Sequence, residues 1–151
     1  MSWTYPAGTF QVPSQQHTAP HARRVLLGAH PGAGASTWAL LLDMVDAEHP
    51  PADGQVTIVC RSTIHGITAA KHLIAQITPD HVEAILVVAD AAGRIPATVR
   101  RELTVLSGPN RVVSVPWIPA LRGVPATENH RLTLARPIRR VSHDLTKISR
   151  R

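Results

Sequence analysis

The sequence is poor in cysteine, in aromatic residues and in long apolar runs. Its single cysteine, Cys60, excludes a disulfide framework and a cysteine-rich zinc site, and we expect it to be an inert core residue. No apolar stretch reaches the roughly 18 residues of a membrane-spanning helix. The N-terminus has neither the basic start nor the apolar segment of a signal peptide. The nine histidines are scattered, without the spacing of a metal-binding pair. We therefore expect a cytoplasmic protein.

Charge is distributed unevenly along the chain. The 151 residues include 16 Lys and Arg against 10 Asp and Glu, a net charge of +6. Residues 131–151 hold seven basic residues and one acidic residue, which accounts for the whole excess, and residues 1–130 are neutral. A basic terminal segment is typical of proteins that contact an acidic partner, such as nucleic acid, an anionic membrane or an acidic protein.

Apolar runs separated by turn residues predict alternating strands and helices. Residues 1–22 are rich in Pro, Gln, Ser, Thr and Gly and predict a flexible segment. Beyond them, short apolar and β-branched runs predict buried strands at residues 24–29, 55–60, 84–89 and 111–115. Apolar residues at helical spacing predict helices at residues 36–47, 64–77 and 97–106. This alternation is typical of an α/β domain with a mostly parallel sheet, here residues 23–130.

In such a sheet, the loops that follow the strands meet at one edge, where ligands bind. The predicted loops at this edge are His30–Gly34, Arg61–His65, Asp90–Ile95 and Trp117–Arg122. The last three loops each contribute an arginine, and together Arg61, Arg94 and Arg122 form a candidate anion clamp. The alternative is that these arginines lie on the surface and pair with nearby carboxylates.

A glycine-rich turn, His30–Gly34, joins the first predicted strand to a helix that opens with Ser36 and Thr37. Glycines let backbone N–H groups converge on an anion, and the helix N-terminus adds a favourable dipole. A hydroxyl at the start of the helix can hold Mg²⁺. The simpler interpretation is a tight turn with Ser36 as the helix N-cap.

The segment His30–Thr37 resembles the deviant Walker A loop of the ParA/MinD group of P-loop ATPases, whose pattern is K-G-G-x-G-K-[ST]-[ST]. The resemblance implies a three-layer P-loop-like sandwich, truncated relative to the family. It implies ATP and Mg²⁺, with Ser36 and Asp90 near the metal, since Asp90 ends an apolar run as a Walker B aspartate does. For Asp90, a turn-forming role is the alternative. The implied nucleotide-binding residues are Gly32, Gly34, Ala35, Ser36 and Thr37.

Both cationic positions of the family pattern are missing from this sequence. Ala35 stands where the family has the lysine that reaches the β- and γ-phosphates, and His30, which stays a candidate for the anion clamp, replaces the signature lysine. Pro31 replaces a glycine and removes one backbone N–H. A lost charge-assisted phosphate contact costs about 1.5–3 kcal/mol. We therefore expect a non-catalytic binding or assembly module, with nucleotide binding and its loss both open. The alternative is a weak Mg²⁺-dependent ATPase in which an arginine replaces the lysine.

Three further segments are similar to small proteins of actinobacterial mobile elements. They are Arg61–Gly66 (RSTIHG), Ala89–Pro96 (ADAAGRIP) and Val115–Gly123 (VPWIPALRG). This resemblance implies a role in plasmid maintenance or conjugation, together with a protein partner or a homodimer.

The basic segment 131–151 predicts an amphipathic helix that begins at Pro137. Its apolar positions, which recur at helical spacing, are Ile138, Val141, Leu145 and Ile148. Three interpretations are open. The apolar stripe covers the sheet as part of a last core helix, or it inserts into an anionic membrane. In the third, the basic side chains of the helix contact nucleic-acid phosphates. The residues expected to contact a membrane or nucleic acid are Arg136, Arg139, Arg140, Lys147, Arg150 and Arg151. Either contact places the protein at the periphery of the membrane or the nucleoid. A further alternative function is therefore a DNA- or membrane-binding adaptor that uses this basic helix without nucleotide.

Overall fold

Five parallel strands form the central sheet of the structure, a computed structural model that describes residues 24–149. The strands are β1 (Val25–Gly28), β2 (Val45–Ala47), β3 (Val56–Arg61), β4 (Val82–Val88) and β5 (Val112–Val115). Their spatial order is β2-β1-β3-β4-β5, and every neighbouring pair is parallel. The predicted segment 1–22 and the basic residues Arg150 and Arg151 lie outside the described residues.

Helices cover both faces of this sheet and confirm the α/β class. They are α1 (Ala35–Leu42), α2 (Ile64–Gln76), α3 (Ala97–Ser107), α4 (Glu128–Thr133) and α5 (Ala135–Ser149). Two short 3₁₀ turns lie at Pro79–His81 and Pro119–Leu121. Helices α1 and α5 pack on one face, and α2 and α3 pack on the other.

Successive side chains of each central strand serve opposite faces. In β4, Leu86 packs in the cluster that contains α1 and α5, whereas Ile85 packs with α2 and α3. Both faces are buried, so residues 84–88 of the strand are all apolar instead of alternating with polar residues. Cys60 in β3 is 0% exposed, and burial raises the pKa of its thiol to about 12. The prediction of a core cysteine is therefore confirmed, and its inertness stays a prediction.

The predicted helix at residues 36–47 is wrong in its second half. Helix α1 ends at Leu42, since Asp43 adopts a left-handed conformation (φ 54°) and the N–H of Met44 donates to the carbonyl of Ala39 at 2.8 Å. The chain then forms β2, which pairs with β1 at the edge of the sheet. This strand has only three residues, two of them exposed, so it carries no apolar run.

The C-terminal region forms two helices that belong to the same domain as the sheet. Helix α4 was not predicted, and the predicted boundary between residues 130 and 131 falls inside it. Helix α5 begins two residues before Pro137, which lies in its first turn, where a missing N–H costs no hydrogen bond. Val141 and Leu145 are each 1% exposed in the core cluster. Ile138, Val141 and Leu145 of the apolar stripe therefore pack on the sheet, as the first of the three interpretations predicted.

None of the helices within residues 24–149 has the length and apolar character that crossing a membrane requires.

Candidate anion-binding site

A cavity of about 620 Å³ opens at the carboxyl edge of the sheet. It lies where the chain leaves β1 and β3, which are neighbours whose following helices pack on opposite faces. Such a switch point is the usual ligand position in doubly wound sheets, and the volume suits a small molecule. The predicted site residues that line it are His30, Gly32, Gly34, Thr37, Arg61, Asp90 and Arg122.

The glycine-rich turn brings an open helix end to this cavity. Gly32 and Gly34 both have positive φ, 75° and 97°, a conformation that disfavours side chains. Gly34 is the N-cap of α1, so no side chain caps the first turn. This corrects the interpretation of Ser36 as N-cap. The first-turn N–H groups, together with the helix dipole, favour an anion at this end of the cavity.

The side chains of α1 do not point as the family pattern implies. The hydroxyl of Ser36 donates to Oδ2 of Asp46 on β2 at 2.8 Å, and Ser36 does not line the cavity. Thr37 lines it instead. Ala35 packs inward, with its β-carbon 3.2 Å from the point where a β-carbon on Gly28 would lie. Ser36 and Asp90 therefore do not form a shared metal site, and the residues present do not fit the Mg²⁺ centre that the resemblance implies.

Arg61 connects two of the loops that form the cavity. Its Nε donates to the carbonyl of Gly32 at 3.0 Å, and its Nη1 donates to the carbonyl of Ala89 at 3.3 Å. Both acceptors are uncharged, and no ion pair joins Arg61 to a carboxylate among the described residues. The guanidinium is thus held in place while its positive charge stays unneutralised beside the glycine-rich turn.

The side chain of His30 fixes the backbone of Arg61 through a hydrogen bond. The N–H of Arg61 donates to Nε2 of His30 at 3.1 Å, so Nε2 carries no proton. The proton therefore lies on Nδ1, which is 2.8 Å from the carbonyl of Pro31 and donates to it. Through this contact the ring of His30 positions the backbone of Arg61 at the cavity.

Sequence reasoning missed Gly66, on which this contact depends. A β-carbon at Gly66 would lie 2.4 Å from the carbonyl oxygen of Arg61 and 3.0 Å from Nε2 of His30. Only glycine lets α2 start this close to the end of β3. The available signal was a glycine in the first turn of a helix. The N-cap of that helix, Thr63, accepts a hydrogen bond from the N–H of Gly66.

Arg122 and Trp117 form the opposite wall of the cavity. The guanidinium carbon of Arg122 lies 5.0 Å from the ring centroid of Trp117, a cation–π contact. Arg94 is exposed and does not line the cavity, so two of the three predicted arginines meet there. Trp117 itself was not predicted as a site residue.

Among the residues that the structure describes, Asp90 is the one acidic residue that lines the cavity. Its backbone N–H donates to the hydroxyl of Ser62, which is buried below it, at 3.0 Å. Two guanidinium groups, those of Arg61 and Arg122, and one carboxylate line the cavity, so the net charge of its lining is positive. Within residues 24–149, no cluster of three or more His, Cys, Asp or Glu side chains offers a ready metal centre.

No protein-family model matches the chain, and neither a curated protein nor a solved structure shows significant similarity to it. What the cavity binds therefore has to be inferred from its own geometry.

Proposed function

We propose that the protein is a non-catalytic binding module that takes a phosphorylated ligand into the cavity at the carboxyl edge of the sheet. The observation that carries this proposal is the guanidinium of Arg61, fixed by the carbonyls of Gly32 and Ala89 beside the uncapped end of α1. A phosphate placed there meets a positive charge and a helix dipole at once.

The opposite wall favours a ligand that also has a planar ring. The indole of Trp117 and the guanidinium of Arg122 present flat surfaces suited to stacking. Phosphate at one end and a flat ring at the other is the chemistry of a nucleotide. A volume of about 620 Å³ accommodates one.

The resemblance to the ParA/MinD group supports the same end of the cavity for phosphate, but not hydrolysis. The position of the family lysine is held by Ala35, which packs against β1, and the hydroxyl of Ser36 is bound to Asp46. We therefore propose binding without turnover, in a protein that works with a protein partner or a second copy in plasmid maintenance or conjugation.

A weak ATPase is the second candidate, and the placement of Arg61 favours it. Its guanidinium lies within the cavity beside Gly32, so it is the arginine best placed to supply the missing lysine's charge. This alternative requires Mg²⁺-dependent turnover, which the binding module lacks.

The test is calorimetric titration of the full chain with ATP, once in EDTA and once in Mg²⁺. We expect binding in both, and Arg61→Gln to raise the Kd about tenfold or more, since a charge-assisted hydrogen bond contributes about 1.5–3 kcal/mol. Arg94→Gln is the matched control, because it removes the same charge from an exposed site outside the cavity. It should change the Kd less than about twofold.

Ser36→Ala separates the two candidates. In the binding module the Kd stays unchanged, because the hydroxyl of Ser36 is turned toward Asp46. Absence of binding at millimolar ATP, or equal losses in Arg61→Gln and Arg94→Gln, would overturn the proposal. Mg²⁺-dependent phosphate release that Ser36→Ala abolishes would establish the ATPase instead.

A further inference from the structure

Helix α5 has two faces of opposite character. Val141 and Leu145 are buried, and Ile138 packs beside them against the core. At about 100° per residue, the basic side chains of this helix fall within an arc of about 100° centred directly opposite the buried stripe. They are Arg136, Arg139, Arg140, His143 and Lys147, and all five are exposed.

Within residues 24–149, no carboxylate neutralises the four permanent charges of this stripe. Among the described residues no carboxylate pairs with Arg136, Arg139, Arg140 or Lys147, and Asp144 instead lies 3.7 Å from His143. Arg136 and Arg140 are four residues apart, a spacing at which like charges destabilise a helix by a few tenths of a kcal/mol. An anionic partner that covers these basic side chains would remove this repulsion between like charges.

We infer that the exposed basic face of α5 binds the phosphate backbone of duplex DNA. From Arg136 to Lys147 the stripe extends about 16 Å along the helix axis, enough to reach phosphates on both sides of a major groove about 12 Å wide. Three of the four permanent charges are arginines, which match phosphate geometry better than lysines do. The cavity plays no part in this contact.

Two other anionic partners fit the helix less well. An interfacial membrane helix inserts its apolar face, whereas the apolar face of α5 is already buried against the sheet. Single-stranded nucleic acid is bound by stacking on aromatic side chains, and no aromatic residue lies between Arg136 and Lys147 apart from His143. A straight row of charges suits the regular phosphates of a duplex.

The test is fluorescence anisotropy of a labelled 24-base-pair duplex with the full chain, between 50 and 200 mM KCl. In Arg136→Gln/Arg140→Gln we expect the affinity at 100 mM salt to fall about tenfold or more. The slope of log K against log salt should become shallower by about 1.8, which is about 0.9 per lost phosphate contact. The matched control is Arg100→Gln/Arg101→Gln, which removes two exposed charges from α3 on the other face of the sheet. It should lose no more than about twofold.

A second variant, Arg139→Gln/Lys147→Gln, should reproduce the loss of affinity and the change in slope, so the result does not depend on the folding of one protein. Equal losses in the α3 and α5 variants would overturn the inference, because net charge would then explain binding. Failure to bind the duplex at 50 mM salt would also overturn it. So would tighter binding to vesicles containing phosphatidylserine, or to single strands, than to the duplex.

Discussion

Replacing Gly66 by alanine is expected to destabilise the protein, although alanine is the better helix former. Gly66 lies in the first turn of α2, where its regular helical conformation puts no strain on an alanine. The obstacle is space, since the new β-carbon would lie 2.4 Å from the carbonyl oxygen of Arg61. That oxygen is backbone at the end of β3 and cannot rotate away.

The magnitude follows from three contributions. Helix propensity gains at most about 1 kcal/mol. Overpacking against rigid backbone costs about 1–3 kcal/mol, and loss of the hydrogen bond from the N–H of Arg61 to His30 costs about 1 kcal/mol. The net is a loss of about 2 kcal/mol in the free energy of unfolding. For a chain of this length, that lowers the Tm by about 4–8 °C.

The assay is urea unfolding followed by circular dichroism, with Thr68→Ala as the control. Thr68 is exposed on the same helix, so alanine there gains propensity without a clash. The double variant His30→Ala/Gly66→Ala removes the contact at 3.0 Å but keeps the one at 2.4 Å, so most of the loss should persist. If Gly66→Ala is as stable as Thr68→Ala, the close approach of α2 to β3 is not as described, and the positioning of Arg61 by His30 fails with it.

Two further predictions concern the end of α1 and the buried thiol. Asp43→Gly should stabilise the protein by about 0.5 kcal/mol, since glycine adopts the left-handed conformation of residue 43 without penalty. A lower free energy of unfolding in urea would instead show that the ion pair between Asp43 and Arg131, at 3.9 Å, contributes more than the relief of backbone strain. Cys60 should resist a disulfide reagent at pH 8 until the protein unfolds, because burial raises the pKa of its thiol to about 12. The unfolded thiol ionises near pH 9, so the free energy of unfolding should fall between pH 9 and 12 more steeply than in Cys60→Ala. Equal slopes in the two proteins would contradict this reasoning.

The strands of the core could be predicted because burial on both faces leaves an unbroken apolar run. Residues 84–88 of β4 form such a run, and residues 58–60 of β3 form a shorter one; the carboxyl ends of both strands predicted the edge where the cavity lies. β2 and α4 could not be predicted from the sequence, for the opposite reason. One is a three-residue edge strand and the other is a six-residue helix with no buried side chain, so neither leaves a periodic apolar signal.

The details of the site depend on distances that no local pattern encodes. Thr37 lines the cavity, whereas the hydroxyl of Ser36 is bound to Asp46 on β2, an orientation that the sequence of the turn does not specify. Arg61 could be placed at the correct edge by topology alone. Its partners, Gly32, Ala89 and His30, became visible only when three loops distant in sequence were brought together.

The sheet ends on both sides in short strands, and this limits how two copies of the chain can associate. β2 offers three residues and carries the exposed Asp46, while β5 offers four and is followed at once by Pro116. Short, charged or proline-flanked edges are poor templates for adding a foreign strand. A continuous intermolecular sheet is therefore disfavoured, as is aggregation that begins at these edges. A homodimer of this protein would have to form through its helical faces or around the rim of the cavity.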